Sequence, residues 1–362
     1  MSNFQNMLVR AGSWFLRSGI QETNGGVARY YRADLGKNAR VSTEITGYAV
    51  NALIEFHRRT GKEEYLDAAL RAARFLTRSA WDARLATFPF EYSSNGDRPP
   101  GFAYFFDCGI IVRGLLSAWR IARDQELLDT AVAAGRGMLA DFAGETAIHP
   151  ILALPEKRPL AYEAKWSASP GCYQLKSALA WCELSKETGE RSFREAYDCA
   201  VRRGLESEQA FLPGSAEREK VMDRLHAYLY FLEGLLPVAA LPEAARAYTA
   251  GIQRVSGYLR DIAPEFVRSD VYAQLLRARI YGQAAGIVPV DSDAAEFEAR
   301  EAARFHLQSD DVRIDGGFGF GRRSGAMLPF VNPVSTAFCV QALALWNDRG
   351  SNALSAEPAS LI

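Results

Sequence analysis

The chain has 362 residues, a formal net charge of −1, 48% hydrophobic and 23% charged residues. This balance is ordinary for a globular protein, and it lacks the basic surplus typical of nucleic-acid or anionic-membrane binding. No apolar run approaches the ~20 residues of a membrane span, and the N-terminus lacks the pattern of a signal peptide. We therefore expect a cytoplasmic protein with neither a nucleic-acid nor a membrane partner.

The hydrophobic periodicity predicts twelve helices in chain order. They cover 4–20, 45–59, 63–79, 107–122, 127–142, 169–188, 192–208, 222–238, 242–262, 270–285, 291–307 and 333–346. Every second helix is apolar nearly all round, which predicts a buried helix, and the others are amphipathic. The apolar helices begin near Glu44, Asp107, Ser169, Asp223, Asp270 and Ser335.

Such an alternation predicts six helical hairpins, and closing them into a ring would bury every apolar stripe. We therefore predict an all-α protein with an (α/α)6 toroid over residues 1–348 and a polar C-terminal tail over 349–362. The apolar helices would form the inner ring and the amphipathic helices the outer ring. The rival fold is an open solenoid, which usually has a more constant repeat than the 47 to 65 residues that separate the apolar helices here.

The lengths of the connections predict where a site lies. The turns that leave the apolar helices are short, as at Thr60-Gly61-Lys62, whereas the connections that enter them are long and rich in aromatic residues. All long loops and all inner-helix N-termini are thus expected at one end of the ring. Free amides and the positive ends of helix dipoles would make that mouth suitable for anionic groups and sugar hydroxyls.

Three aspartates at the predicted inner-helix N-termini are the candidate catalytic residues: Asp107, Asp223 and Asp270. Two carboxyl groups that face one pocket can act as general acid and general base, because one raises the pKa of the other. The alternative for each is a helix cap, since Asp is a favoured N-cap residue.

The expected binding residues share a position at the mouth or on the loops that lead to it. They are Glu44, Glu91, Tyr92, Tyr104, Glu163, Trp166, His226, Asp315, Phe318 and Arg322. The aromatic residues would stack on sugar rings, or they simply fill the middle of a wide ring. A buried, hydrogen-bonded role is the alternative for His226.

The glycine-rich segment Asp315–Arg322 follows no strand of a βαβ unit, so it is not expected to be a dinucleotide-binding loop. We expect it to be an aromatic lid that covers the mouth. The sequence has no pattern of metal ligands, and we expect neither a metal nor a cofactor. Its five cysteines, with no Cys-x-x-Cys pair, are expected to be core thiols in a reducing compartment. Cys108 beside Asp107 is a candidate nucleophile, but no histidine is near it in sequence.

Three segments resemble the six-hairpin glycosidase-like superfamily, in particular its members among polysaccharide biosynthesis genes. They are Ser42–Tyr48, Phe106–Leu115 and Asp223–Tyr228. The resemblance implies an (α/α)6 barrel with a sugar-binding mouth, in a group that includes glycoside hydrolases, unsaturated-uronide hydrolases, sugar epimerases and polysaccharide lyases. The expected ligand is therefore a small saccharide or a uronide, and the expected activity is that of a hydrolase or an epimerase.

Two alternatives remain open. One is a non-catalytic saccharide-binding or scaffold protein of polysaccharide metabolism. The other is an isoprenoid-binding toroid, because Gly316–Gly319 followed by Val334–Ala337 is similar to terpenoid cyclases and prenyltransferases. The sequence departs from those families, since it has neither the D-x-D-D motif of the cyclases nor the zinc-binding Asp-Cys-His set of the prenyltransferases.

Overall fold

The computed structural model describes residues 3–91, 101–349 and 360–362. This part of the chain contains twelve α-helices, and they match the twelve predicted from the sequence in order and type. It also contains nine short β-strands, which the periodicity did not predict. The contacts divide the chain into two compact units. Unit 1 comprises 1–20, 30–39 and 207–362, and unit 2 comprises 21–29 and 40–206.

Unit 2 is built on three buried helices that lie side by side: α2 (Thr43–Thr60), α4 (Phe105–Ala122) and α6 (Leu175–Thr188). The amphipathic helices α3 (Glu63–Phe75) and α5 (Gln125–Phe142) flank this row, and a π-helical turn, Leu76–Ala80, follows α3. Helix α7 (Arg191–Phe211) begins in this unit. The strands β3 (Phe102–Tyr104), β4 (Ile151–Ala153) and β5 (Arg158–Pro159) form one antiparallel sheet in the order β3-β4-β5.

Unit 1 repeats this plan with the buried helices α8 (Arg218–Leu235), α10 (Ser269–Ala284) and α12 (Pro333–Asn347). The flanking helices are α1 (Asn3–Arg17), α9 (Pro242–Ile262) and α11 (Ser292–Ala303). Two three-stranded antiparallel sheets lie in the connections. One joins β1 (Tyr31–Arg32), β2 (Lys37–Asn38) and β9 (Phe330–Val331), and the other joins β6 (Phe266–Arg268), β7 (Gly321–Arg323) and β8 (Ala326–Met327).

Small residues bring α2 and α4 into close contact. A Cβ atom on Gly114 would lie 2.7 Å from the carbonyl oxygen of Gly47, which is tighter than any normal contact. A Cβ atom on Gly47 would lie 3.0 Å from the Cα of Ile111. Only glycine therefore allows these two helix backbones to approach this closely.

Two helix starts differ from the sequence prediction. Helix α6 begins six residues late, at Leu175, because the extended Gly171 interrupts the chain and short 3₁₀ turns (Trp166–Ala168 and Cys172–Gln174) precede the helix. Helix α8 begins early, at Arg218, so Asp223 lies in its second turn and does not open it. The last residues, Leu361 and Ile362, are buried, and the backbone oxygen of Ile362 accepts a hydrogen bond from Arg277 at 3.3 Å. The domain boundary at 348 stays a prediction.

Candidate functional site

The first candidate site lies at the N-terminal turns of α2 and α4 in unit 2. Helix α2 is capped by Ser42, whose hydroxyl accepts a hydrogen bond from the Ile45 amide at 3.3 Å. The next residue, Thr43, donates to the carbonyl oxygen of Pro89 at 2.9 Å and thereby ties the connection that leads to α4 to the start of α2. Glu44 occupies the first turn and is half-buried.

Asp107 is the third residue of α4 and does not cap it. The N-cap residue is Tyr104, and no side chain accepts a hydrogen bond at this cap. The Asp107 side chain is 4% exposed, and its Oδ2 atom has no hydrogen-bond partner among the described residues. A buried carboxyl oxygen without a partner is costly to an ionised group. The capping alternative therefore fails for Asp107, and its position suits a residue that meets a ligand.

The electrostatic surroundings favour the protonated form of Asp107. Burial holds its pKa well above the usual range, and the negative charges of Glu44 and Glu91 add to this effect, while Arg29 opposes it. A carboxyl group that keeps its proton near neutral pH can donate it, as a general acid must.

Aromatic side chains contact one another near the N-terminal turn of α4, and Asp107 acts on the pKa of two of them, Tyr104 and Tyr173. The rings of Phe90 and Tyr104 are 4.7 Å apart, and Trp166 meets Tyr173 edge to face at 5.0 Å. Phe106 lies 6.2 Å from the same Tyr173. Burial raises the pKa of Tyr104, and the nearby Asp107 adds to this effect, so the phenol keeps its proton and can donate a hydrogen bond.

The remaining predicted binding residues of unit 2 are more exposed. Glu91 forms an isolated antiparallel β-bridge with Ser42, and its side chain forms an ion pair with Arg40 at 2.8 Å. The charge of Glu91 also raises the pKa of Asp107. Glu163 is exposed, and its charge acts on Tyr104. Tyr92 lies outside the described residues. Electrostatic effects therefore link five of the predicted residues of unit 2: Glu44, Glu91, Tyr104, Asp107 and Glu163. Trp166 is linked to them through its contact with Tyr173.

Cys108 does not have the surroundings of a nucleophile. Burial raises its pKa to about 11, and its sulfur lies 3.6 Å from the Thr87 hydroxyl. A thiol with this pKa is almost entirely protonated near neutral pH, and only the thiolate reacts readily. All five cysteines are free thiols.

The second candidate site lies at the N-terminal turn of α10 in unit 1. Asp270 is 2% exposed and does not cap the helix, whose N-cap residue is Arg268. The guanidinium of Arg268 binds both carboxylate oxygens, with Nε 2.9 Å from Oδ1. It also lies 4.7 Å from the centre of the Phe320 ring. Asp270 is therefore an ion-paired carboxylate.

The same guanidinium fixes the state of His226. An Arg268 nitrogen lies 2.9 Å from His226 Nδ1, and because a guanidinium only donates, Nδ1 accepts and the ring proton is on Nε2. Burial and the charge of Arg268 hold the pKa of His226 well below its usual range. Asp223, one turn earlier on α8, is exposed. His226 is thus buried and hydrogen-bonded, which is the role that the sequence analysis gave as the alternative to ligand binding. Its neutral ring carries one N–H donor.

The segment Asp315–Arg322 packs into unit 1. Asp315 forms an ion pair with Arg10 of α1 and accepts from the Ser309 amide at 3.1 Å. Phe318 is fully buried, so it can contact a ligand only if the segment moves. Arg322 lies on β7, donates to the carbonyl oxygen of Arg304 at 2.9 Å and covers the Phe305 ring.

Sequence reasoning missed Arg29 and Arg268. The signal for Arg268 was its position two residues before Asp270, from which a long side chain can reach back to the carboxylate. No local signal marks Arg29, which acts on Asp107 through the fold. Among the described residues, no group of three or more His, Cys, Asp or Glu side chains is arranged to hold a metal ion, and no helix is both long and apolar enough to span a membrane.

Comparisons with known proteins agree with the predicted architecture. No protein-family model matches the sequence, and neither does any curated protein. Solved structures do match. A cellobiose 2-epimerase from Spirochaeta thermophila is 16% identical, with a TM-score of 0.74 over 96% of each chain. A sugar epimerase from a ruminal bacterium is 12% identical, with a TM-score of 0.73 over 97% of this chain and 99% of that one.

A third match is an inactive variant of an alpha-1,6-mannanase from Salegentibacter, with two aspartates replaced, in complex with alpha-1,6-mannotriose. It is 11% identical, with a TM-score of 0.62 over 95% of this chain and 99% of that one. These likenesses confirm the predicted (α/α)6 toroid fold.

Proposed function

We propose that the protein is a carbohydrate-active enzyme, a hydrolase or an epimerase, and that Asp107 is its general acid. The observation that carries the proposal is the Asp107 carboxyl group, which is buried and has one oxygen without a partner among the described residues. Burial, with the charge of Glu44, also holds its pKa well above the usual range. The sugar epimerases and the mannanase that share the fold support the choice of substrate class.

The proposed chemistry uses one protonated carboxyl group and one ionised carboxylate. A protonated carboxyl can donate to the oxygen of a glycosidic bond as it breaks, and an ionised carboxylate can activate water or remove a proton from carbon. Within unit 2, we assign the acid role to Asp107 and the carboxylate role to Glu44. The aromatic residues Tyr104 and Trp166 would contact the sugar ring.

The aspartates of unit 1 differ in what they can do. Asp223 is exposed, so it remains a candidate base. Asp270 is held on both oxygens by Arg268, so we propose that it positions this guanidinium and does not transfer a proton itself. His226, Asp315, Phe318 and Arg322 remain proposed binding residues. We also propose a cytoplasmic location, which the five free thiols support.

The test is turnover of neutral oligosaccharides, followed by reducing-end formation for a hydrolase and by deuterium uptake from D₂O for an epimerase. Asp107→Asn keeps the size of the side chain but has no acidic proton, and we expect it to lower kcat by about a hundredfold or more. Glu145→Gln, an exposed glutamate of unit 2, is the matched control and should keep full activity. Equal activity of the Asp107→Asn variant and the wild type would refute the assignment.

A second candidate is saccharide binding without turnover, which the Arg268–Asp270 ion pair favours because Arg268 occupies both carboxylate oxygens of Asp270. Binding of an oligosaccharide that depends on Asp107, with no product formed, would support this candidate. Binding of isoprenoid diphosphates alone would contradict both.

A further inference from the structure

The segment 360–362 lies in the core of unit 1, although the sequence predicts a polar tail there. Leu361 is 1% exposed and Ile362 is 3% exposed. Adjacent apolar side chains that are both buried gain the free energy of leaving water only while the segment stays in place. The segment is therefore held by the same force that holds the helices together.

The side-chain amide of Gln341 on α12 binds the backbone of this segment at two points. Its nitrogen donates to the carbonyl oxygen of Ser360 at 2.6 Å, and its oxygen accepts from the amide of Ile362 at 3.2 Å. On α10, the hydroxyl of Tyr281 lies 3.1 Å from the hydroxyl of Ser360. When proteins recognise extended peptides, main-chain hydrogen bonds supply affinity and pockets for the side chains supply specificity. The contacts of this segment have both features.

Arg277 of α10 contributes the third backbone contact. Its guanidinium is fully buried, donates to the backbone oxygen of Ile362 at 3.3 Å and to the side-chain oxygen of Gln341 at 2.9 Å, and pairs with Glu233 of α8. It also lies 4.0 Å from the centre of the Phe338 ring. Its Nε atom has no acceptor among the described residues. Without the oxygen of Ile362, a second donor of this buried cation would lose its acceptor, which is costly for a charged group.

The residues that hold the segment lie beneath the candidate site of unit 1. Arg277 is seven residues after Asp270 on α10, and Glu233 is seven residues after His226 on α8. Seven residues are nearly two helical turns, so each pair shares one face of its helix and is separated by about 10 Å along the axis. The segment thus closes the core of unit 1 at a level below the N-terminal turns that carry the candidate site.

We propose that unit 1 contains a peptide-binding pocket, formed around Arg277 by Glu233, Tyr281, Phe338 and Gln341, and that residues 360–362 of the same chain are its ligand. The ligand class is a short peptide that offers backbone oxygens to Gln341 and Arg277 and two adjacent apolar side chains to the core. Because every contact is non-covalent, the same tripeptide should bind from solution when the chain lacks it. The inference does not depend on the proposed function.

The first test keeps all 362 residues and compares two leucines of unit 1 by thermal unfolding. Leu361→Ala removes a buried side chain, and we expect the unfolding midpoint to fall by about 5 °C. Leu35→Ala is the matched control, because Leu35 is 53% exposed, and it should change the midpoint by about 1 °C or less. A midpoint of the Leu361→Ala variant equal to that of the wild type would overturn the inference.

The second test asks whether the pocket binds a peptide. A chain that ends at residue 359 is unfolded with and without the N-acetylated tripeptide Ser-Leu-Ile at millimolar concentration. We expect this peptide to raise the midpoint of the shortened chain by about 5 °C, in a saturable way. The control peptide Leu-Ser-Ile, which would place serine in the apolar position of Leu361, should not raise it. The 362-residue protein should respond to neither peptide because its pocket is filled.

Three results of the second test would overturn the inference: an equal midpoint for the shortened and the 362-residue chains, an equal shift with both peptides, or an equal shift in both proteins. If the shortened chain does not fold, the comparison of Leu361→Ala with Leu35→Ala decides the question. Neither test uses a saccharide, so failure of this inference leaves the proposed function unchanged.

Discussion

The two candidate sites share one backbone plan and differ in charge. In unit 2, strand β3 leads directly into α4, and in unit 1, strand β6 leads directly into α10. An aspartate lies in the first turn of each helix. The last strand residue is Tyr104 in unit 2 and Arg268 in unit 1, and Arg268 gives Asp270 a cationic partner that binds both carboxylate oxygens.

The consequence is that two buried aspartates in first helical turns have different surroundings. Asp270 is bound on both oxygens by Arg268, whereas Asp107 has an oxygen without a partner among the described residues, and burial and Glu44 hold its pKa well above the usual range. An ion pair fixes a structure, and an unpaired protonated carboxyl can take part in proton transfer. This difference is why we propose Asp107 in unit 2 as the reactive carboxyl and Asp270 in unit 1 as a positioning carboxylate.

Removing the Arg268 guanidinium from unit 1 should have the largest effect on stability. Arg268→Met leaves Asp270 buried without its partner, and we expect a loss of about 3–5 kcal/mol in the free energy of unfolding, measured by urea denaturation. The chain offers a matched control in Arg32, which also binds an aspartate two residues later on both oxygens and lies over a phenylalanine ring, but at the surface. Arg32→Met should cost much less. Equal losses of unfolding free energy in the two variants would contradict a special contribution of burial to the Arg268–Asp270 ion pair.

Adding a methyl group at the Gly47–Gly114 contact between α2 and α4, the helices that carry Glu44 and Asp107, should have a smaller effect on stability. In Gly114→Ala the new methyl group would meet the Gly47 carbonyl oxygen, and we expect the unfolding free energy to fall by about 1–3 kcal/mol. Gly257→Ala places the same methyl group in open space on α9, so it should be neutral or stabilising by up to about 1 kcal/mol. An unchanged unfolding free energy in the Gly114→Ala variant would show that the close approach of α2 and α4 does not contribute to stability.

The smallest expected effect is on the pH dependence of stability. The pKa of Asp107 is raised in the folded state, so between the unfolded and folded values the folded protein binds more protons, and its stability falls as pH rises. Asp107→Asn removes this slope. Thermal unfolding should show a variant that is more stable than the wild type at about pH 8, by on the order of 1 kcal/mol, and little different at about pH 4. Parallel curves for the two proteins would contradict the raised pKa.

The helices could be predicted from the sequence because their pattern is local. Alternate apolar and amphipathic helices, with short turns between them, are enough to indicate six hairpins, and the structural likenesses confirm that fold. The strands could not be predicted, since they are two or three residues long and pair across the chain. Strand β1, for example, pairs with β9, so that Tyr31 faces Val331.

The site could be predicted only in part for the same reason. The position of Asp107 in a first helical turn is visible in the sequence, but its protonation depends on Glu44 and Arg29, which folding brings near it. The sequence treats Asp107 and Asp270 as equivalent, and the structure separates them through Arg268. The caps expected at both aspartates belong instead to Tyr104 and Arg268, because each strand runs into its helix without a polar turn.

The most direct test of this account is a carbon-13 NMR titration of aspartate carboxyl groups in the wild type and the Asp107→Asn variant. The account predicts that the resonance missing from the variant titrates well above the ordinary aspartate pKa of about 3.9 in the wild type. If that resonance titrates at or below the ordinary value, Asp107 is ionised at neutral pH, and it cannot be the general acid proposed here.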